Sequence, residues 1–148
     1  MKLSKVFCSV LLFAMVLFTG CEDKQVMSLS QMPQTSQDFL SIHFPGVKVT
    51  QVIKDIDDFS YTWDVYLENG FEVEFDKNGN WLGVDGRNQP IPESILALIP
   101  QNIVNYCSTN YPSLQIVEID RDDRKYDIGL SGGMDLEFDL NGNFLKIG

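Results

Sequence analysis

Alternating apolar and polar residues predict two consecutive strands in the first half of the chain. Apolar side chains occupy every second position of residues 61–68 and again of residues 71–76. A period of two is typical of a strand with one buried face and one face in water. Asn69 and Gly70 separate the segments, and this pair favours a tight type I′ hairpin turn. The pattern therefore predicts an antiparallel hairpin whose strands bury the same face.

A helix precedes these strands, and a further strand follows them. In residues 34–43, Phe39 and Leu40 fall on one side of a helix, and Phe44 extends that side. Pro45 and Gly46 end the helix, because neither residue continues one. The first half is thus predicted to contain one helix and four strands, the strands at about 47–53, 61–68, 71–76 and 80–84.

The second half of the chain repeats the first. The segment that begins at Pro33 corresponds to the segment that begins at Pro100, and residues 63–84 correspond to residues 126–147. Self-similarity at a long, fixed spacing indicates copies of one structural unit. Two copies, rather than an open array, favour a closed pseudo-symmetric domain.

The fold class that follows is α+β. We predict a tandem repeat of helix-plus-four-strand units, at about 33–88 and 89–148, that forms one antiparallel eight-stranded sheet with the helices packed on one face. A short helix at about 93–98, after Pro92, would bridge the two units.

The phrase EFDKNGNW at residues 74–81 returns as EFDLNGNF at residues 137–144, and it allows two interpretations. Its Asp-x-Asn-x-Asn spacing begins like an EF-hand calcium loop, which also needs glycine at position six and an acid at position twelve. Trp81 and Arg87 stand at those positions in the first copy, and Phe144 stands at position six in the second. The alternative is a β-turn that aspartate opens and in which glycine takes the left-handed position. We favour the turn.

The first 20 residues are predicted to be a bacterial lipoprotein signal peptide. Two lysines precede an apolar run that is shorter than the roughly 20 residues of a membrane-spanning helix. Thr19-Gly20-Cys21 resembles a lipobox, although Phe18 stands where leucine is usual. We expect lipid on Cys21, a flexible tether over residues 21–32 and a folded domain over residues 33–148. The protein would then be an exported lipoprotein of the outer membrane, on its periplasmic side or at the cell surface.

Charge and cysteine content narrow the function classes. The net charge is −10, and it becomes −12 once Lys2 and Lys5 leave with the signal peptide. Nucleic-acid binding is disfavoured, because phosphate backbones need a basic face. Cys107 is the one cysteine left besides Cys21, so no disulfide framework is expected. No nucleophile, metal-ligand or phosphate-binding motif emerges, and we therefore predict no enzyme activity, no catalytic residues, no cofactor and no metal site.

The polar sides of the predicted strands carry the candidate binding residues. Opposite the apolar positions, the strands present acidic side chains and one tyrosine: Asp64, Tyr66, Glu68, Glu72, Glu74, Asp127, Asp135 and Glu137. One interpretation is ordinary alternation in an antiparallel sheet with one wet face. The other is a binding surface for an envelope protein or peptide of basic character. A small ligand or a cation is the alternative occupant.

Four segments together resemble a known family: FPGVKVTQVIKD, VYLENGFEVEFDKNGNW, IPQNIVNYCSTNYP and LEFDLNGNF. They are similar to the PepSY-like proteins of Bacteroidetes, which are small secreted proteins with a beta-lactamase-inhibitor-like fold. The resemblance implies a pseudo-twofold domain with helices on one side of its sheet and a partner-binding open face on the other. It also implies a role in restraining a peptidase or another enzyme. The family has no assigned catalytic residues, so none are carried over.

Overall fold

The computed structural model describes residues 23–148. The predicted signal peptide and the predicted lipidation site, Cys21, lie outside the described residues. Within 23–148, no helix has both the length and the apolar character needed to cross a membrane.

One antiparallel sheet forms the centre of the structure, and each strand pairs with its neighbours in sequence order. Within residues 23–148, the sheet has nine strands rather than the predicted eight. They are β1 (Asp23–Met27), β2 (Val49–Asp57), β3 (Ser60–Leu67), β4 (Glu72–Asp76), β5 (Trp81–Asp85), β6 (Ile116–Arg121), β7 (Lys125–Leu130), β8 (Met134–Asp139) and β9 (Phe144–Ile147).

The additional strand, β1, lies where a flexible tether was predicted. It pairs with β2 from Asp23 opposite Ile56 to Met27 opposite Val52, and a short 3-10 helix at Leu29–Gln31 follows it. The outer edge of β2 would otherwise present unpaired backbone donors and acceptors, and β1 satisfies them. Because an edge strand can be exposed on both faces, its sequence needs no apolar alternation, and the tether prediction was wrong for these residues.

Three helices cover one face of the sheet. They are α1 (Gln34–His43), α2 (Glu93–Leu96) and α3 (Gln101–Asn110). A proline stands immediately before each helix, where the missing N–H costs no hydrogen bond. The bounds of α1 are those predicted, and α2 is two residues shorter than predicted.

The core lies between these helices and the apolar side of the sheet. Its fully buried side chains come from both halves of the chain, among them Phe75 of β4, Phe138 of β8, Ile95 of α2 and Ile103 of α3. The apolar alternation of β3 and β4 points into this core, as the sequence pattern predicts. Helices on one face of the sheet leave the opposite face open.

The β3–β4 turn differs from the predicted type I′ hairpin. Tyr66 pairs with Glu72, and Leu67 N–H donates a 2.9 Å hydrogen bond to the Phe71 carbonyl, so the loop has three residues, Glu68 to Gly70. Only Gly70 has a positive φ, +92°, whereas a type I′ turn needs positive φ at two residues. Gly70, the third loop residue, therefore takes the left-handed position. Because the loop begins directly after Leu67, Glu68 lies in the turn and not in the strand.

Candidate functional site: an acidic sheet face

The strand register arranges the open side of the sheet in two rows. One row runs Asp64, Glu74, Gly83, Asp120, Asp127, Glu137 from β3 to β8. The second row runs Tyr66, Glu72, Asp85, Glu118, Gly129, Asp135 over the same six strands. Directly paired residues of an antiparallel sheet point to the same side. We call these two rows the acidic face.

The structure brings together seven of the eight residues that the sequence singled out. Glu68 is the exception: it lies in the β3–β4 turn, where its Oε1 accepts a 3.1 Å hydrogen bond from the Lys48 N–H. The sequence analysis missed three acids at the middle of the face: Asp85, Glu118 and Asp120. The alternation of Glu118 and Asp120 around buried Ile119 is the signal that could have identified two of them.

Two glycines make room for the central carboxylates. Gly83 lies opposite Asp120, and Gly129 lies opposite Glu118. A Cβ atom at Gly129 would be 2.8 Å from the Glu118 Cβ, and one at Gly83 would collide with the Asp120 Oδ1. The acidic side chains therefore extend across the glycines, and substitution of either glycine would displace them.

Two shallow depressions flank the central pair of carboxylates. Their volumes are about 380 Å³ on the β7–β8 side and about 250 Å³ on the β4–β5 side. Glu118 and Asp120 line both depressions. Each is wide enough to receive a side chain, and the carboxylates give both a negative lining.

Several carboxyl groups at the middle of the face have raised pKa values, so their ionised form is disfavoured. Burial, followed by the neighbouring Asp120 and Asp85, raises the pKa of Glu118 to about 7. Burial also raises the pKa of Asp120, of Glu74 and of Asp64, with nearby carboxylates adding to the effect in each case. Crowded carboxylates repel one another when ionised, so the face favours protons or another positive charge.

Cationic side chains lie at the margins of the face and leave its centre unpaired. Arg87 contacts Glu72 at 2.7 Å, while Lys125 and Lys146 both contact Glu137 at 3.2 Å. The pKa of Glu137 is lowered, chiefly by the hydrogen bond from Lys146. Between residues 23 and 148, no lysine or arginine forms an ion pair with Glu118 or Asp120.

The repeated EFDxNGN phrase forms turns, as the sequence analysis favoured. In the first copy, the Asp76 Oδ1 accepts hydrogen bonds from the Asn78 and Asn80 N–H groups at 2.8 and 2.9 Å, and Gly79 has φ +87°. Asp139 makes the equivalent bonds in the second copy. Across the described part of the chain, no group of three or more His, Cys, Asp or Glu residues is arranged to hold a metal ion.

Comparison with known proteins gives the family. Residues 60–146 match the family described as "Putative beta-lactamase-inhibitor-like, PepSY-like". The chain belongs to this PepSY-like family. No curated protein matches the chain.

Solved structures of similar proteins support the fold along most of the chain. One is a "putative calcium-regulated periplasmic protein" from Bacteroides thetaiotaomicron, with 37% identity, 87% of this chain and 99% of that chain covered, and a TM-score of 0.79. A "putative periplasmic protein" from Bacteroides vulgatus has 36% identity, the same two coverages and a TM-score of 0.79. A second Bacteroides vulgatus protein of unknown function has 31% identity, coverages of 84% and 98%, and a TM-score of 0.79. All three are described as periplasmic.

Proposed function

We propose that this PepSY-like protein is a non-enzymatic, lipid-anchored envelope protein that binds a basic segment of a protein or peptide through its acidic face. The observation that carries this proposal is the central pair, Glu118 and Asp120, which lies between two depressions and has no ion pair with a lysine or arginine of residues 23–148. A lysine or arginine of the partner would relieve their repulsion and form charge-assisted hydrogen bonds.

The family description supports a regulatory role for this binding. The family is described as beta-lactamase-inhibitor-like, and an inhibitor acts by binding its target, which supports a binding role for the open sheet face. The partner would therefore be an envelope enzyme, such as a peptidase, that this chain restrains. Duplication of a helix-plus-four-strand unit, at about 33–88 and 89–148, would have produced the broad face by joining two narrower sheets at β5 and β6.

The proposed location is the outer membrane, with lipid on Cys21. The periplasmic descriptions of the similar proteins support export. Metabolic labelling with a radioactive fatty acid tests the anchor: the wild-type chain should be labelled and Cys21→Ser should not. Protease treatment of intact cells would then distinguish the cell surface from the periplasmic side.

The binding test compares variants with matched charge changes. Glu118→Gln with Asp120→Asn removes the central charges, whereas Asp38→Asn with Glu93→Gln removes two exposed charges on helices of the covered side. Each full chain is used to capture partners from native envelope extract, followed by mass spectrometry. We expect the amount of partner captured by the central variant to fall at least about tenfold, which corresponds to about 1.4 kcal/mol of binding free energy. Equal capture by both variants would refute binding through the acidic face.

A cation is the second candidate occupant of the acidic face. A protein 37% identical to this chain is described as calcium-regulated, and carboxylate oxygens are ligands of the type that Ca²⁺ prefers. Because the described residues hold no group of three or more such side chains arranged for a metal, Glu118 and Asp120 would supply only part of the coordination. Isothermal titration with CaCl₂ tests this candidate. Stoichiometric heat that disappears in the Glu118→Gln, Asp120→Asn variant would support it, and absence of heat in the wild-type chain would reject it.

A further inference from the structure

The four hairpin turns that follow β2, β4, β6 and β8 lie together at one end of the sheet. We call this the basal end. Strands of an antiparallel sheet in sequence order place alternate turns at the same end. The remaining turns, after β3 and β7, lie at the opposite end together with the loop from α3 to β6.

Two turns of the basal end carry exposed apolar side chains, whereas the exposed apolar side chain nearest the opposite end, Ile42, lies in the last turn of α1. Phe59, in the β2–β3 turn, is 96% exposed, and Leu140, in the β8–β9 turn, is 47% exposed. Ile56 and Tyr61, which pair across the β2–β3 hairpin next to this turn, are half-buried. Among residues 23–148, none of the large exposed hydrophobic side chains lies in the turns after β3 and β7 or in the α3–β6 loop.

The described chain begins at the same basal end. Asp23 pairs with Ile56, which is three residues from Phe59. Cys21 is only two residues before Asp23, so lipid on Cys21 can be no more than roughly 7 Å of chain from the start of β1. An anchor of this length would hold the basal end against the bilayer.

We propose that the basal end rests on the membrane surface, with Phe59 and Leu140 inserted into the lipid interface. This inference rests on the proposed lipid anchor at Cys21. A single aromatic side chain cannot hold a protein at a membrane, but a tethered one is at high effective concentration there. The exposed cations Lys77 and Arg124, in the β4–β5 and β6–β7 turns, would face the lipid headgroups.

The charge of the basal end specifies which lipid surface it fits. Asp57 and Asp58 precede Phe59, and Asp122 and Asp123 precede Arg124, so acids outnumber bases there. Anionic lipids would repel these carboxylates. The surface therefore fits a zwitterionic leaflet. In this orientation the strands stand away from the bilayer, and the acidic face is directed sideways, accessible to a partner in the same membrane.

The test places a fluorescent reporter at each end of the lipidated full chain. Phe59→Trp and Leu140→Trp report on the basal end, and Ser113→Trp, exposed in the α3–β6 loop, is the control. Trp63 and Trp81 are buried and provide a constant background. Each protein is reconstituted into phosphatidylcholine vesicles with plain or brominated acyl chains, because bromine quenches only tryptophan that reaches the lipid.

We expect brominated lipid to reduce the emission of Phe59→Trp and Leu140→Trp and to leave Ser113→Trp at the wild-type level. The quenching should weaken when anionic lipid is added at low salt. Unquenched Phe59→Trp in vesicle-bound protein would overturn the inference and leave partner binding unaffected. A chain that fails to float with the vesicles would overturn the anchor as well, whereas capture of a partner by the acidic face is measured independently.

Discussion

Glu118 shows how the chemistry of one residue depends on its neighbours in the sheet. Gly129 leaves the space into which its side chain extends, while Asp120 and Asp85 place negative charge beside it. Protonated Glu118 donates a hydrogen bond to Asp120, which stabilises the neutral form. A glutamate that would be ionised in an unfolded chain is therefore partly protonated near neutral pH.

This shift predicts a specific pH dependence of stability. The folded state retains the Glu118 proton from the ordinary pKa of 4.5 up to about 7, while the unfolded state has lost it. The free energy of unfolding should therefore fall as pH rises through this window. Urea unfolding of Glu118→Gln should show a smaller decline than the wild type. The free energy of unfolding of Glu93→Gln, a change on the exposed side of α2, should decline with pH as that of the wild type does. An equally steep decline for Glu118→Gln would contradict the prediction.

Asp76 has the opposite behaviour, because its carboxylate accepts hydrogen bonds. Burial alone would raise its pKa, but bonds from the side chain and backbone of Asn80 and from the backbone of Asn78 lower it overall. Its stabilisation is present above the ordinary pKa of 3.8 and is lost as pH falls through the lowered value.

Removal of this turn acceptor should therefore destabilise the protein at neutral pH. We expect Asp76→Ala to reduce the free energy of unfolding by about 1–2 kcal/mol, measured by urea denaturation at pH 7. Asp123→Ala is the control, because the Asp123 side chain is 93% exposed and its ion pair with Arg124, at 3.7 Å, lies at the surface. Similar losses in both variants would show that the turn hydrogen bonds are not the cause.

At the scale of the element, β1 marks the boundary of what sequence pattern can predict. The helix bounds of α1 and the alternation of β3 and β4 follow from local periodicity, because one face of each is buried. β1 is a strand because β2 offers it an edge, and its side chains at Lys24, Gln25 and Val26 are exposed. A strand that is exposed on both faces needs no alternation of apolar and polar residues, so the sequence of β1 did not reveal it.

Deletion of β1 tests whether it is part of the folded domain. A chain that begins at Ser28 loses the β1–β2 pairing and the Lys24–Asp55 ion pair. We expect its free energy of unfolding to be lower by more than about 1 kcal/mol than that of a chain that begins at Asp23. Amide hydrogen exchange in β2 should also become faster. Equal stability and equal exchange would indicate that residues 23–27 act only as a tether.

At the scale of the whole molecule, the two halves share one core and one sheet. Within this sheet, the strands of the two halves meet through three residue pairs between β5 and β6. Arg121 of the second half strengthens this junction: its Nε and Nη2 donate hydrogen bonds of 2.9 and 2.8 Å to the Trp81 carbonyl of the first half. Ile95 and Ile103 are fully buried in the same cluster as Phe75.

A shared core predicts that the halves unfold together. Trp63 and Trp81 both belong to the first half, so tryptophan fluorescence reports on that half, while far-UV circular dichroism reports on the whole fold. The two urea transitions of the wild-type chain should coincide. A fluorescence transition at a lower or higher urea concentration than the dichroism transition would mean that each half unfolds separately.

Local sequence was enough to predict the main helices, most strands, the Asp-opened turns and the acidic alternation of β3, β4, β7 and β8, because each depends on residues close together in the chain. Which acids are paired with cations could not be predicted in this way. Glu137 was a predicted binding residue, yet Lys125 and Lys146 neutralise it, whereas no lysine or arginine in the described part of the chain forms an ion pair with Glu118 or Asp120. Burial and charge pairing arise from strands far apart in sequence, and their register exists only in the folded sheet.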